Sequence, residues 1–168
     1  VLGHGHGGAS NLMLSQQLAL MGFVNLSIDG PRAGKSTGGP SDDNQAWISV
    51  DKGPQYSYLY HYAYAGMRSL TLFEELANQT GNPYRIDPNK LGALGPSMGG
   101  IFTTYLNGID SRMKFAVILA SAGSWAHTLR YPNSWLYHGL YAYTRDVPYN
   151  GSDPLNSIED IDRDPTAI

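Results

Sequence analysis

The chain has 168 residues, a formal net charge of −3 and no cysteine. That length is enough for one domain with a sizeable core. The charge gives no electrostatic case for nucleic acid or an anionic membrane surface, and the absence of thiols removes disulfides, Cys-ligated metal and a cysteine nucleophile.

In chain order, Val1-Leu2 reads as the end of a strand that runs into a Gly-rich loop, Gly3-His4-Gly5-His6-Gly7-Gly8. Ser10 or Asn11 can cap a helix over residues 12–21, whose apolar positions are Leu12, Leu14, Leu18, Leu20 and Met21 and which Gly22 ends. Residues 23–29 read as a strand. Residues 30–54 form a long polar loop, a length that is uncommon in a compact domain and is often functional. A long helix is expected over 56–77, with Ala63, Met67, Leu70, Leu72, Phe73 and Leu76 buried. Turn residues fill 78–90, where Gly81-Asn82-Pro83 and Asp87-Pro88-Asn89 stand. A short strand follows over 91–95, then a helix to about residue 108, then an apolar strand over 115–120.

The strands are continuously apolar rather than alternating, which implies burial on both faces. The expected fold class is therefore α/β, a mostly parallel sheet with helices on both faces. Beyond Ser121 the character changes. Trp125, Tyr131, Trp135, Tyr137, Tyr141, Tyr143 and Tyr149 crowd a segment without a clear period, and the tail is polar and acidic. The expected division is a core over 1–124 and the start of an aromatic-rich cap or insertion over 125–168. No stretch approaches the roughly 20 apolar residues needed to span a bilayer. Charged residues make up 15% of the chain, below the usual value of about 25%, and the abundance of Tyr, Asn, Gly and Ser leans toward a secreted protein.

Gly95-Pro96-Ser97-Met98-Gly99 is the most informative motif, a G-x-S-x-G between the strand and the helix. A serine on such a turn projects its hydroxyl toward the open end of a parallel sheet, and flanking glycines avoid collision with the neighbouring strand and helix. The alternative is a Gly-rich turn that happens to hold a serine. The His4-Gly5-His6-Gly7-Gly8 loop sits where a serine acyl-transfer enzyme supplies one backbone N–H to an oxyanion hole, the residue after the nucleophile supplying the other. A tight turn with incidental histidines, or a metal site from His4 and His6 with further ligands, are the other readings. Gly30-Pro31-Arg32-Ala33-Gly34-Lys35-Ser36 resembles a phosphate loop but has three residues between its glycines where four are needed, and no helix follows promptly. Asp29 and Arg32 are instead expected to brace this loop beside the site. His127 and His138 are possible bases for Ser97, and His61, in the long helix, reads as structural.

These elements and motifs together resemble the α/β-hydrolase superfamily, with His4-Gly5-His6 as its His-Gly loop, Asp29-Gly30-Pro31-Arg32-Ala33-Gly34-Lys35-Ser36 close to its Asp-x-Arg-Gly-x-Gly-x-Ser pattern, and Gly95-Pro96-Ser97-Met98-Gly99-Gly100 as its nucleophile elbow. Within the superfamily, 87–92 is similar to dienelactone-hydrolase-like and acetyl-xylan-esterase-like members and to prolyl-oligopeptidase-type peptidases. The resemblance implies Ser97 as nucleophile and the backbone N–H groups of Met98 and His6 as oxyanion hole, with no cofactor and no metal. It also places the triad acid and histidine after later strands. The expectation is thus an internal fragment of a larger hydrolase, partnered by the remainder of the same protein. The expected activity is cleavage of a small-molecule or carbohydrate-linked carboxylic ester through an acyl-enzyme. A peptidase or amidase on the same fold, a non-catalytic binding protein of this fold, and, third, a nucleotide-binding protein are the alternatives.

Overall fold

A computed structural model describes residues 1–40 and 54–121. They form a mixed α/β arrangement of three α-helices and a small parallel sheet. The helices are α1 (Leu12–Leu20), α2 (Tyr58–Ala77) and α3 (Met98–Ile109), and the strands are β1 (Gly92–Pro96) and β2 (Phe115–Leu119). β1 and β2 pair in parallel, with Ala93 opposite Ala116 and Gly95 opposite Ile118.

Two further segments flank β1 with less regular pairing. Leu2 bridges in parallel to both Leu94 and Ser27. The ladder runs from Leu94 N to Val1 O and from Gly3 N to Leu94 O on one side. On the other, Leu2 N donates to Leu26 O and Ile28 N to Leu2 O. The strand expected over 23–29 is thereby reduced to a single bridge at Ser27. The lateral order is the Ser27 segment, the Leu2 segment, β1 and β2. The chain leaves the Leu2 segment toward one side, and later leaves β1 toward the other. Right-handed crossovers in opposite lateral directions put α1 on the face away from α2 and α3. The connections diverge at the carboxyl ends of the Leu2 segment and β1, the position at which open α/β sheets bind their ligands.

The core lies between the sheet and the α2–α3 pair. On α2 the buried stripe is Tyr58, Leu59, Tyr62, Ala63, Gly66, Ser69, Leu70 and Phe73, a helical period begun by the Ser57 N-cap. On α3 it is Met98, Ile101, Phe102 and Leu106. The helices meet closely at Gly66, where a Cβ would stand 2.6 Å from the Phe102 ring. Tyr62 stacks on Phe102 with centroids 4.4 Å apart. Arg112 fastens the far end. It makes a two-pronged bond to the buried Asp110 and also bonds Glu74 Oε2, Thr71 Oγ1 and the Met67 carbonyl, tying α2 to the loop after α3.

Some expectations fail. α1 buries no residue; Asn11 caps it, but Leu12, Met13 and Leu20 are exposed and, of its leucines, Leu14 and Leu18 are no more than half-buried. Leu72 is exposed on α2. β2 is apolar throughout, yet Phe115, Val117, Ile118 and Leu119 are exposed, so burial on both faces does not hold for it. The reason is the same each time. Apolar sequence marks a surface that can be buried, and among the described residues the α2–α3 face alone is fully covered. The long polar loop is described only through residue 40, and the aromatic segment over 125–149, with His127 and His138, lies outside the described residues. No helix among the described residues is long and apolar enough to cross a membrane.

Candidate active site

Ser97 links β1 directly to α3 and has φ 53° and ψ −121°. That combination is sparsely populated for a residue with a Cβ, and such strain persists only where the surroundings over-determine it. The surroundings here do so. Ser97 N donates to Leu119 O of β2, and Ser97 O accepts from Gly100 N and Ile101 N of α3. A serine at a helix N-cap ordinarily turns its hydroxyl back onto the first-turn N–H groups. Ser97 does not, and among the described residues its half-buried side chain makes no hydrogen bond.

The glycines of the motif are fixed by contact. A Cβ on Gly95 would stand 2.1 Å from Gly99 O, and one on Gly99 would stand 2.7 Å from Gly3 O and 2.9 Å from His4 O. One on Gly100 would meet Ser121 Cβ at 2.4 Å. The Gly99 contacts show that the start of α3 packs directly on the backbone of the His-rich loop. A Cβ placed on Gly5 would lie 3.7 Å from Ser97 Cβ, so this loop passes at van der Waals distance from the serine.

His4 is buried, and both its ring nitrogens are engaged by backbone. Nε2 accepts from Gly30 N at 2.8 Å, which leaves the ring proton on Nδ1, and Nδ1 donates to Gly5 O at 2.7 Å. His4 N donates to the Tyr62 hydroxyl at 2.5 Å, and the two rings lie 5.1 Å apart. A His4–His6 metal site therefore loses its first ligand. Among the described residues no group of three or more His, Asp or Glu could hold a metal ion.

Met98 is the first residue of α3 with its side chain fully buried, and its N–H is one that the helix cannot satisfy internally. His6 is exposed and lies one residue beyond Gly5. Asp29 reaches Ser10 N with Oδ1, at 2.6 Å, and Lys35 N with Oδ2, at 2.9 Å. It thus joins the end of the His-rich loop to the loop after the Ser27 segment. Those N–H bonds, Lys35's first, hold its carboxyl below the ordinary value of 3.8. Arg32 is exposed with φ 55° and makes no hydrogen bond or ion pair among the described residues. The structure thus brings Gly5 of the His-rich loop beside Ser97 and Met98, and Asp29 ties the end of that loop to the loop after the Ser27 segment. His61 Nε2 is bonded to Gln55 O, away from the serine.

Sequence reasoning missed the ring of His4 and its partners. Gly30 and Tyr62 lie 26 and 58 residues away, so nothing local marks the cluster. The Tyr58-Tyr62-Gly66 spacing on α2 was the signal available. A groove of about 590 Å³ runs beneath the amino ends of the strands, lined by Val1, Leu18, Phe23, Phe73, Leu91 and Phe115 among others. Neither Ser97 nor the His-rich loop lines it. No family model, curated protein or solved structure matches this chain.

Proposed function

We propose that the protein is a serine hydrolase with an α/β-hydrolase core that cleaves a carboxylic ester. The observation that carries the reading is Ser97 itself: a strained strand-to-helix residue whose hydroxyl declines the cap bond beside it, next to a Gly-rich loop at the carboxyl edge of a parallel sheet. Ser97 Oγ attacks the ester carbonyl and its proton passes to a base. The tetrahedral oxyanion is held by the N–H groups of Met98 and His6, the positive end of α3 adding to the field. Collapse expels the alcohol, which takes up the proton, and leaves an acyl-serine. Water then adds to that acyl group, and the acid departs as Ser97 regains its proton.

A hydroxyl at its free pKa is a poor nucleophile, so the base is indispensable. His127 and His138 are the histidines that follow Ser97 in the sequence, and both lie outside the described residues. Asp29 and the neutral, buried His4 support the loop and are not assigned a proton-transfer role. The test is hydrolysis of short-chain aryl esters, with matched amides beside them. Ester turnover that disappears in Ser97→Ala is expected. In the complete protein, later strands included, turnover that survives the substitution, or none with any ester, removes the reading.

A further inference from the structure

We infer that the His4 imidazole is a positioning residue that sets the Gly5-His6 peptide plane and, through it, the direction of the His6 N–H; the inference rests on the reading of that N–H as an oxyanion donor. A trans peptide is planar, with its C=O and N–H pointing in opposite directions. Fixing the carbonyl of Gly5 therefore fixes the amide of His6. Two donors hold that carbonyl: His4 Nδ1 at 2.7 Å and Gly8 N at 3.1 Å. A flipped plane would put the Gly5 oxygen where the His6 N–H stands, and its partial negative charge would oppose an oxyanion held there.

The ring can act this way because it is itself immobilised. Gly30 N occupies Nε2, which forces the proton onto Nδ1, the nitrogen that faces Gly5. The ring lies tilted against Tyr62, whose hydroxyl also receives the His4 N–H. Gly30 must be glycine for this to happen, since a Cβ there would stand 3.0 Å from Nε2 and 2.1 Å from the Tyr58 hydroxyl oxygen. A buried histidine thus transmits the placement of α2 and of the Gly30 turn to a single amide beside Ser97.

The test compares His4→Asn with His4→Gln. Asparagine can place an N–H where Nδ1 stands but leaves Gly30 N without its acceptor. Glutamine can place an oxygen near Nε2 but gives up the bond to Gly5. With His6 selectively ¹⁵N-labelled, the His6 amide resonance should stay near its wild-type position in His4→Asn and move in His4→Gln. In wild type, the imidazole ¹⁵N spectrum should show Nδ1 protonated and Nε2 bare. In ester hydrolysis, His4→Gln should lose about 10²-fold in kcat with KM little changed, while His4→Asn stays within about tenfold of wild type. An Nε2-protonated ring, or a His6 amide that moves no more in His4→Gln than in His4→Asn, overturns the inference. The spectra decide it even if both variants fold poorly, because the wild-type ring is read directly. They also decide it if the protein hydrolyses no ester, an outcome that removes the functional reading separately.

Discussion

Replacing Ser97 by glycine should stabilise the protein. The residue sits at φ 53° and ψ −121°, a conformation that costs a residue with a Cβ about 1–3 kcal/mol and costs glycine almost nothing. Against that gain stands the extra freedom glycine gives the unfolded chain, about 0.5–1 kcal/mol. The serine hydroxyl makes no hydrogen bond among the described residues, so its removal subtracts nothing there. The net gain is up to about 2.5 kcal/mol, with about 1 kcal/mol at the centre of the range, or a rise in Tm of roughly 2–4 °C there for a domain of this size. Ser97→Ala is the control, because it keeps the Cβ and hence the strain while removing the same hydroxyl. Thermal and urea melts of the three proteins give the answer. If Ser97→Gly is no more stable than Ser97→Ala, the turn is not strained, and the argument that strain is held there for function fails.

Gly99→Ala should do the opposite. Moving the added methyl from 2.7 Å to an ordinary 3.4 Å contact with Gly3 O requires a shift of about 0.7 Å between α3 and the His-rich loop, at about 1–3 kcal/mol. A displacement approaching 1 Å at a reacting centre costs on the order of 10²-fold in rate, so ester turnover should fall further than the melts alone would account for. Arg112→Met should lower stability by about 3 kcal/mol in urea melts and leave KM unchanged, because it strands the buried Asp110 carboxylate far from Ser97. Asp29 has its folded pKa depressed below its unfolded value, so its stabilisation is complete above the unfolded value near 3.8 and is lost as pH falls through the lower folded one. Asp29→Asn should be less stable than wild type at neutral pH, and the two stabilities should converge below about pH 4 in melts run across that range. A constant gap at every pH would show that the carboxylate is not what ties Ser10 to Lys35.

The turn at Ser97 was legible because sterics leave little choice. Where a strand enters a helix without a spacer, Gly95, Gly99 and Gly100 each sit where a methyl would strike backbone or a neighbouring side chain, and that leaves a short local signature. α2 was legible for a similar reason, although starting its stripe at Ala63 missed Tyr58, Leu59 and Tyr62, which the same period includes. The Ser27 bridge and the burial of β2 were not legible. Phe23, Val24 and Leu119 are apolar enough for buried strands, but burial depends on what packs over them, and composition does not carry that. The His4 cluster was hidden for a different reason. Its hydrogen bonds join the first loop to the Gly30 turn and to α2, and only the tertiary fold makes them neighbours. Asp29 could be foreseen as a brace from its place after a strand, whereas the exposed Arg32 shows that proximity in sequence does not make a partner.

The central claim is that Ser97 is a nucleophile held beside two amide donors. Reaction of the complete protein, the later strands included, with a fluorophosphonate, followed by peptide mass mapping, reads this out. One adduct is expected, on the peptide that carries Ser97, absent from Ser97→Ala and slower to form in Gly99→Ala. Labelling at another serine, or an unmodified Ser97 after prolonged exposure, would contradict it.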